Sequence, residues 1–435
     1  MKQRFVGLTL ITIIQIGGSM WNSNQIEAIF KKIDAYQDQM IELQKRLTAI
    51  PAIGPRNQGQ GEAKKAAYLR DYFQKIGLVV EEYNAPDSSV PDGYRPNLVA
   101  RLKGISDERT IWLMTHMDVV PEGARELWQT DPFCAEVREG KIYGRGVEDN
   151  QQEMVASIFA VKALIELGLK PYYNVGLVLV ADEETGSKYG IGYLLANYNI
   201  FKPNDLIIVP DAGNPTGTQI EIAEKSIVWL KIRTLGKQCH GSDPAKGKNA
   251  HRAGANLLCR IDKTLHEIYN AKDSLFDPPI TTIEPTKKEA NVPNINTIPG
   301  EDVFYFDCRV LPQYDINELL EDVKTEAQAI EKEFGVTVEV STEQFEQAAP
   351  PTRADAPVVK MLGRAIKDVY GVEAKPKGIG GGTVAAFFRR AGYDAAVWGK
   401  FESTAHQPNE YCVISNMVND AKVYAHIFGQ QVTEK

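Results

Sequence analysis

NVGLVLVADEE, residues 174–184, is the stretch on which the fold turns. From Val175 to Ala181 successive positions are apolar or glycine, so a strand built from them needs cover on both faces. It ends in three adjacent carboxylates, Asp182, Glu183 and Glu184. Two other stretches share the pattern. TIWLMTHMD (110–118) carries His116 and Asp118 at its end, and DLIIVPDAG (205–213) carries Asp211. NLVARLK (97–103) is a further strand. Around these runs the apolar spacing becomes helical. Residues 24–49 place Ile26, Ile29, Phe30, Ile33 and Tyr36 on one face and stop before Pro51. Residues 62–77 do the same with Ala66, Leu69, Tyr72 and Phe73; 152–168 read as a helix stopped by Gly168, and 187–197 as another. Strands alternating with helices predict an α/β fold with a mainly parallel sheet covered on both faces.

Farther along, the order changes. IVWLKIRTL (227–235) reads as a strand, 250–270 as a helix, then strands near 280–284 and at 303–311, a helix at 315–334 and a strand at 336–341. That order, β-α-β-β-α-β, is the ferredoxin-like one. It predicts an inserted domain at 222–343, with the first domain made of 24–221 and 344–435. The first domain resumes with a helix at 355–370, the turn GIGGGT (378–383), a short helix at 384–391, a strand near 394–400 and a final helix from about 416.

With 43% hydrophobic and 24% charged residues, the 435-residue chain can bury a large core without disulfides. A net charge of −8 repels phosphate backbones and argues against a nucleic-acid partner. Cys134, Cys239, Cys259, Cys308 and Cys412 are scattered and odd in number, which points to reduced thiols and the cytoplasm. Lys2 and Arg4 before the apolar run 5–16, then Gly17, Gly18 and Ser19, point the other way, to an export signal in residues 1–19. Residues 1–23 are thus a signal or an extension ahead of the first helix, with Met20 as an alternative start. No segment is long and apolar enough to span a bilayer.

The candidate ligands mostly follow buried strands, where open α/β sheets line their ligand crevice. Asp118 lies two residues from His116, on the same side of a strand, and can fix its ring. Asp149, in GRGVEDN (144–150), either binds a cation or caps the following helix. Of Asp182, Glu183 and Glu184, one carboxylate can bind a metal while its neighbour faces water. Asp211 is a ligand or a turn residue, and His406 stands in the loop STAHQPNE. Together they make a hard nitrogen-and-oxygen set suited to zinc, cobalt or manganese.

These motifs resemble the dinuclear-zinc peptidases and deacylases that include carboxypeptidase G, aminoacylase, succinyl-diaminopimelate desuccinylase, acetylornithine deacetylase, carnosinase and bacterial dipeptidases. The likeness runs from about residue 24 through HMDVVP (116–121), W-x-x-D-P-F (128–133), YGRG-x-x-D (143–149), DEETGS (182–187), GKQCHGSDPAKGKNA (236–250), NTIPG (296–300), DCRVLP (307–312), Gly381-Gly382-Thr383 and HQPNE (406–410). The resemblance implies a zinc-peptidase-like catalytic domain with an inserted ferredoxin-like lid that often mediates a homodimer. It implies two divalent ions: His116 and Asp211 on one, Glu184 and His406 on the other, Asp149 bridging. Asp118 would orient His116, and Glu183 would be the general base. His240 would reach a substrate oxygen, and Asn296, Arg309, Gly381, Gly382 and Thr383 would hold a substrate carboxylate or carbonyl. The chain departs from the family at Asn150-Gln151-Gln152-Glu153, where a Lys and small residues are usual. Val384 and Ala385 also replace polar residues after the glycine turn.

Asp rather than Glu at 211 accompanies aminopeptidase and dipeptidase activity within the family. The expectation is therefore a hydrolase of short peptides, with deacylation of N-acyl amino acids, as by acetylornithine deacetylase or succinyl-diaminopimelate desuccinylase, as the alternative. A thiol nucleophile at Cys239 beside His240 lacks a third orienting group.

Overall fold

A computed structural model describes residues 19–432; the apolar run 5–16 lies outside them. The three apolar stretches lie side by side in one eight-stranded sheet. Its strands run in the order Val79–Pro86, Tyr94–Leu102, Tyr173–Val180, Ser106–His116, Leu206–Val209, Ala395–Val397, Gln219–Glu224 and Lys375–Ile379. Tyr173–Val180, Ser106–His116, Leu206–Val209 and Ala395–Val397 form a parallel centre, and the pair Gln219–Glu224 with Lys375–Ile379 is parallel too. The first two strands join it antiparallel.

Both faces are covered, as the apolar runs require. Ile111, Leu113, Val175, Leu177 and Ile208 point into one core, against the helices Gln151–Glu166, Pro357–Tyr370 and Ile414–Phe428. Trp112, Met114, Val178, Val180 and Ile207 point into the other, against Ile191–Asn197 and Ala385–Arg390. Alternate side chains of one strand thus serve opposite cores.

Several details differ from the pattern in the sequence, which suggests no strand at Gln219–Glu224 or Lys375–Ile379. The single helix expected at 24–49 is two, Ser23–Asp34 and Gln37–Thr48. Tyr36 sits at the break, buried, with its ring 5.2 Å from that of Phe159. The strand Val79–Pro86 lies at the sheet edge with mostly exposed side chains, so it carries no apolar signal.

The passage to a second sheet is at Lys225, between Gln219–Glu224 and Ser226–Leu235. That sheet is antiparallel and four-stranded, in the order Thr282–Lys288, Glu301–Val310, Ser226–Leu235, Thr337–Glu346. Helices Ala250–Ile268 and Ile316–Phe334 pack on one face, closing a core around Val228, Leu230, Phe304, Phe306 and Leu319. Asn249 and Asp315 cap the two helices, and Gly335 ends the second in the left-handed region, which costs glycine little. Among the described residues no helix is long and apolar enough to cross a membrane. The five cysteines are free.

Candidate metal centre

Three parallel strands end side by side and supply His116, Glu183, Glu184 and Asp211, while two loops supply Asp149 and His406. His116 is the last residue of its strand and is fully buried. Its Nδ1 lies 3.0 Å from the backbone carbonyl of Asp118, so Nδ1–H donates there and Nε2 faces the centre. Nε2 is 2.9 Å from Asp149 Oδ1 and 3.3 Å from Asp211 Oδ1. On the far side, His406 Nε2 is 3.1 Å from Asp149 Oδ2 and 3.0 Å from Glu184 Oε2. The two oxygens of Asp149 therefore face different histidines. Donor atoms of His116, Glu183 and Asp211, and again of His116, Asp149 and Glu184, lie within 4.8 Å of one another. A cavity of about 250 Å³ opens beside them, lined by Glu148, Asp149, Asp211, Phe401 and Ser403 among others.

The electrostatics fit cations here. Four carboxylates face two imidazoles, an excess of negative charge in a mostly buried place. His406 is pushed up to about 10 by Asp149 and Glu184. His116 is raised well above the ordinary histidine range: burial opposes its charge, but the contacts with Asp118, Asp149 and Asp211 outweigh it. A donor set of two imidazoles and carboxylates suits zinc, cobalt or manganese. Glu183 is also raised well above the usual carboxylate range, first by burial and then by the charge of Asp211.

Asp118 does something the strand pattern does not convey. Its carboxylate stands 3.5 Å from His116 Nδ1, but Oδ1 accepts the Glu183 N–H at 3.1 Å and Oδ2 the Glu184 N–H at 3.0 Å. Both oxygens thus grip the turn Glu183–Thr185, which separates the two acidic side chains. Behind that turn Arg95 is clamped by Glu62 and lies 3.4 Å from Asp182 Oδ1.

Two further acids hold the loops together. Glu410 accepts from Arg145 Nη1 at 2.7 Å and from the backbone N–H groups of Gly146, Glu148 and Asp149 at 3.0, 2.9 and 3.1 Å. Glu148 in turn accepts from Glu402, Thr404 and Ala405 N–H. Each loop carries the acid that binds the other's backbone, so Asp149 and His406 are placed by reciprocal contacts. Glu148 and Glu410 carry no sequence signal for this role. Lys65 is buried nearby, and among the described residues its Nζ has no hydrogen-bond partner. Burial pulls it down to about 8, against the attraction of Asp118, Glu62 and Glu410.

The remaining candidates form two groups. His240 is exposed, its Nδ1 2.7 Å from Ser242 Oγ, and its strand pairs with Thr297 beside Asn296. Arg309 pairs with Asp307 at 2.7 Å and donates to the Gly380 carbonyl at 3.1 Å, so it touches the turn of Gly381, Gly382 and Thr383. Thr383 N–H donates to Glu224 at 2.9 Å. Asn150, in the unusual stretch, donates to Asp211 Oδ1 at 2.9 Å and to the Pro210 carbonyl at 2.7 Å.

Residues 112–430 match the model of the peptidase family M20/M25/M40. The chain belongs to this family. An uncharacterized metallohydrolase of Methanococcus maripaludis is 42% identical over 412 residues, covering 90% of this chain and 98% of that protein. A succinyl-diaminopimelate desuccinylase of Nautilia profundicola is 25% identical over 381 residues, 85% of this chain and 93% of that one. Among solved structures, an aminopeptidase from Bacillus cereus superposes with a TM-score of 0.71 at 18% identity, covering 90% of this chain and 98% of that chain. Human carnosine dipeptidase 1 does so at 0.68 and 19%, covering 93% and 98%. These likenesses share a fold. As an M20/M25/M40 member the chain is a metallohydrolase of the peptidase and amidohydrolase kind.

Proposed function

We propose that the chain hydrolyses short peptides at a dinuclear metal centre, with zinc as the first candidate and cobalt or manganese as alternatives. The observation that supports it is the Asp149 carboxylate, whose two oxygens lie against His116 and His406. His116 and Asp211 would hold one ion, Glu184 and His406 the other, and Asp149 both. When bound, the ions polarise the scissile carbonyl and acidify water. Glu183, held by the Asp118 grip on its backbone, takes the proton of the attacking water and passes it to the leaving amine nitrogen. A carboxyl raised by burial suits a base working near neutrality. Residues 222–343 would act as a lid and as the contact of a homodimer, His240 would face a substrate oxygen, and Asn296, Arg309, Gly381, Gly382 and Thr383 would anchor the substrate's far end.

Asp at position 211 supports a free-amino dipeptide as substrate. The second reading, a deacylase of N-acyl amino acids, is favoured by desuccinylases among the relatives. Metal-free protein is assayed on dipeptides and N-acyl amino acids with and without zinc, cobalt or manganese, with Glu183→Gln as control. Metal-dependent cleavage of dipeptides, lost in the variant, supports the peptidase reading. Cleavage confined to N-acyl amino acids replaces it with the deacylase one. Absence of metal-dependent turnover on both sets overturns both.

A further inference from the structure

The stretch Asn150-Gln151-Gln152-Glu153 opens the helix behind Asp149, and its side chains reach a buried acid on another helix. Gln152, Glu153 and Asp420 are fully buried. Gln152 Nε2 donates to Glu153 Oε1 at 2.8 Å, to Asp420 Oδ2 at 3.2 Å and to the Lys400 carbonyl at 3.1 Å. Tyr424 OH donates to Glu153, and Tyr370 OH to Asp420 Oδ1 at 2.6 Å. The Lys400 N–H lies 3.4 Å from Asp420 Oδ2, and Asn416 Nδ2 donates to the Lys400 carbonyl at 3.2 Å. Lys400 begins the segment that ends on His406.

Two carboxyls in one dry site, with no guanidinium or ammonium bonded to them among the described residues, cannot both ionise cheaply. The groups facing them are Tyr424 and Gln152, Tyr370, the buried Cys412 thiol and Lys400. Among these described residues Lys400 is the cationic one, and its ammonium lies over the Tyr370 ring, 4.8 Å from the centroid. Gln152 Nε2 reaches both carboxyls, so the two lie close together, and a single retained proton would relieve the conflict, as in coupled acid pairs. Burial and the Asp420 contact hold Glu153 well above the carboxylate range, and burial lifts Asp420 to about 6.

We propose that Glu153 and Asp420 form a one-proton clasp beneath the metal centre, a pair of positioning residues that fixes the segment 400–406 against the helix following Asp149. The clasp supplements the Glu148 contacts on the other side of Asp149, so the segment is pinned at two places. The unusual residues thereby gain a physical role. Where small side chains would leave this space empty, Gln152 and Glu153 fill it with hydrogen bonds to the segment. The clasp itself stands on the fold; only its consequence for metal binding rests on the dinuclear reading.

Both folded pKa values exceed their unfolded ones, so the folded state holds protons that the unfolded chain has released. Its contribution is complete below about 4, the unfolded carboxylate range, and is lost as pH rises through the folded values. The test compares melting of metal-free wild type with E153Q/D420N, a shape-conserving pair that cannot titrate, from pH 5 to 9. Other titrating groups are common to both proteins. The melting temperature of the wild type should fall by at least about 2 °C more than that of the double variant; parallel curves overturn the clasp. Zinc titration at pH 7 gives the second readout. D420A should lose at least tenfold in affinity for one zinc equivalent, while E153Q/D420N keeps it. Equal affinity in D420A and wild type overturns the positioning role. A wild type that binds a single zinc refutes the dinuclear reading instead, and leaves the melting comparison to judge the clasp.

Discussion

Replacing Asp118 with Asn separates two jobs that one residue could have. In the folded chain the carboxylate accepts the N–H groups of Glu183 and Glu184 at 3.1 and 3.0 Å, while the ring of His116 rests on the Asp118 backbone carbonyl, which the substitution leaves in place. Asparagine retains one carbonyl oxygen and turns an amide toward the other N–H, so one charge-assisted bond is lost. Such bonds contribute about 1.5–3 kcal/mol. If that loss is carried into the placement of Glu183, kcat falls about 10- to 150-fold, at about 1.4 kcal/mol per tenfold. The assay is kcat on the best substrate from the panel at saturating zinc, with zinc content measured in parallel by atomic emission. Lower kcat with unchanged zinc is the expected result. Zinc lost in proportion to activity would mean that Asp118 acts through His116, and a change below about threefold would refute the grip altogether.

Glu410→Gln leaves the Arg145 guanidinium and three backbone N–H groups facing an amide in a buried site. Urea unfolding should show a loss of about 3–5 kcal/mol; a loss under about 1 kcal/mol would show that the loops do not depend on it. Lys65→Met removes a buried ammonium with no hydrogen-bond partner among the described residues. Its folded pKa, about 8, is below the unfolded value of 10.5, so the charge costs stability at pH 7, and that cost fades as pH rises from 8 toward 10.5. The variant should gain up to about 3 kcal/mol at pH 7 and lose the advantage by pH 10; a less stable variant at pH 7 would show that Lys65 is needed to balance Asp118.

The sheet was legible because strands covered on both faces leave long apolar runs, and 110–117 and 174–181 are such runs. The edge strand Val79–Pro86 exposes most of its side chains, and Gln219–Glu224, though buried, interrupts its apolar residues with Glu221 and Glu224, which pair with Arg389, so neither leaves that trace. The break at Tyr36 was hidden because Ile26, Ile29 and Ile33 keep helical spacing up to it, and packing against Phe159 decides the rest. At the site, acids placed directly after strands could be picked out one by one. Glu148 and Glu410 could not. Each is one acid among several in a polar loop, and its partners are backbone N–H groups about 260 residues away. Nothing local in a sequence records a contact of that kind.

The wide separation of His406 from the other candidate ligands also sets a timetable. His116, Asp149, Glu184 and Asp211 all precede the four-stranded sheet, and His406 follows it. At roughly 5–20 residues per second, a ribosome takes about 10–40 s to get from Asp211 to His406. During that interval the nascent chain offers the first group of donors with neither Glu410 to hold the Asp149 loop nor a second imidazole. Capture of a stray ion at that stage would be by a half-built, loosely held cluster. The mature geometry is thus a late product of synthesis, closed only once the segment carrying His406 and Glu410 has emerged.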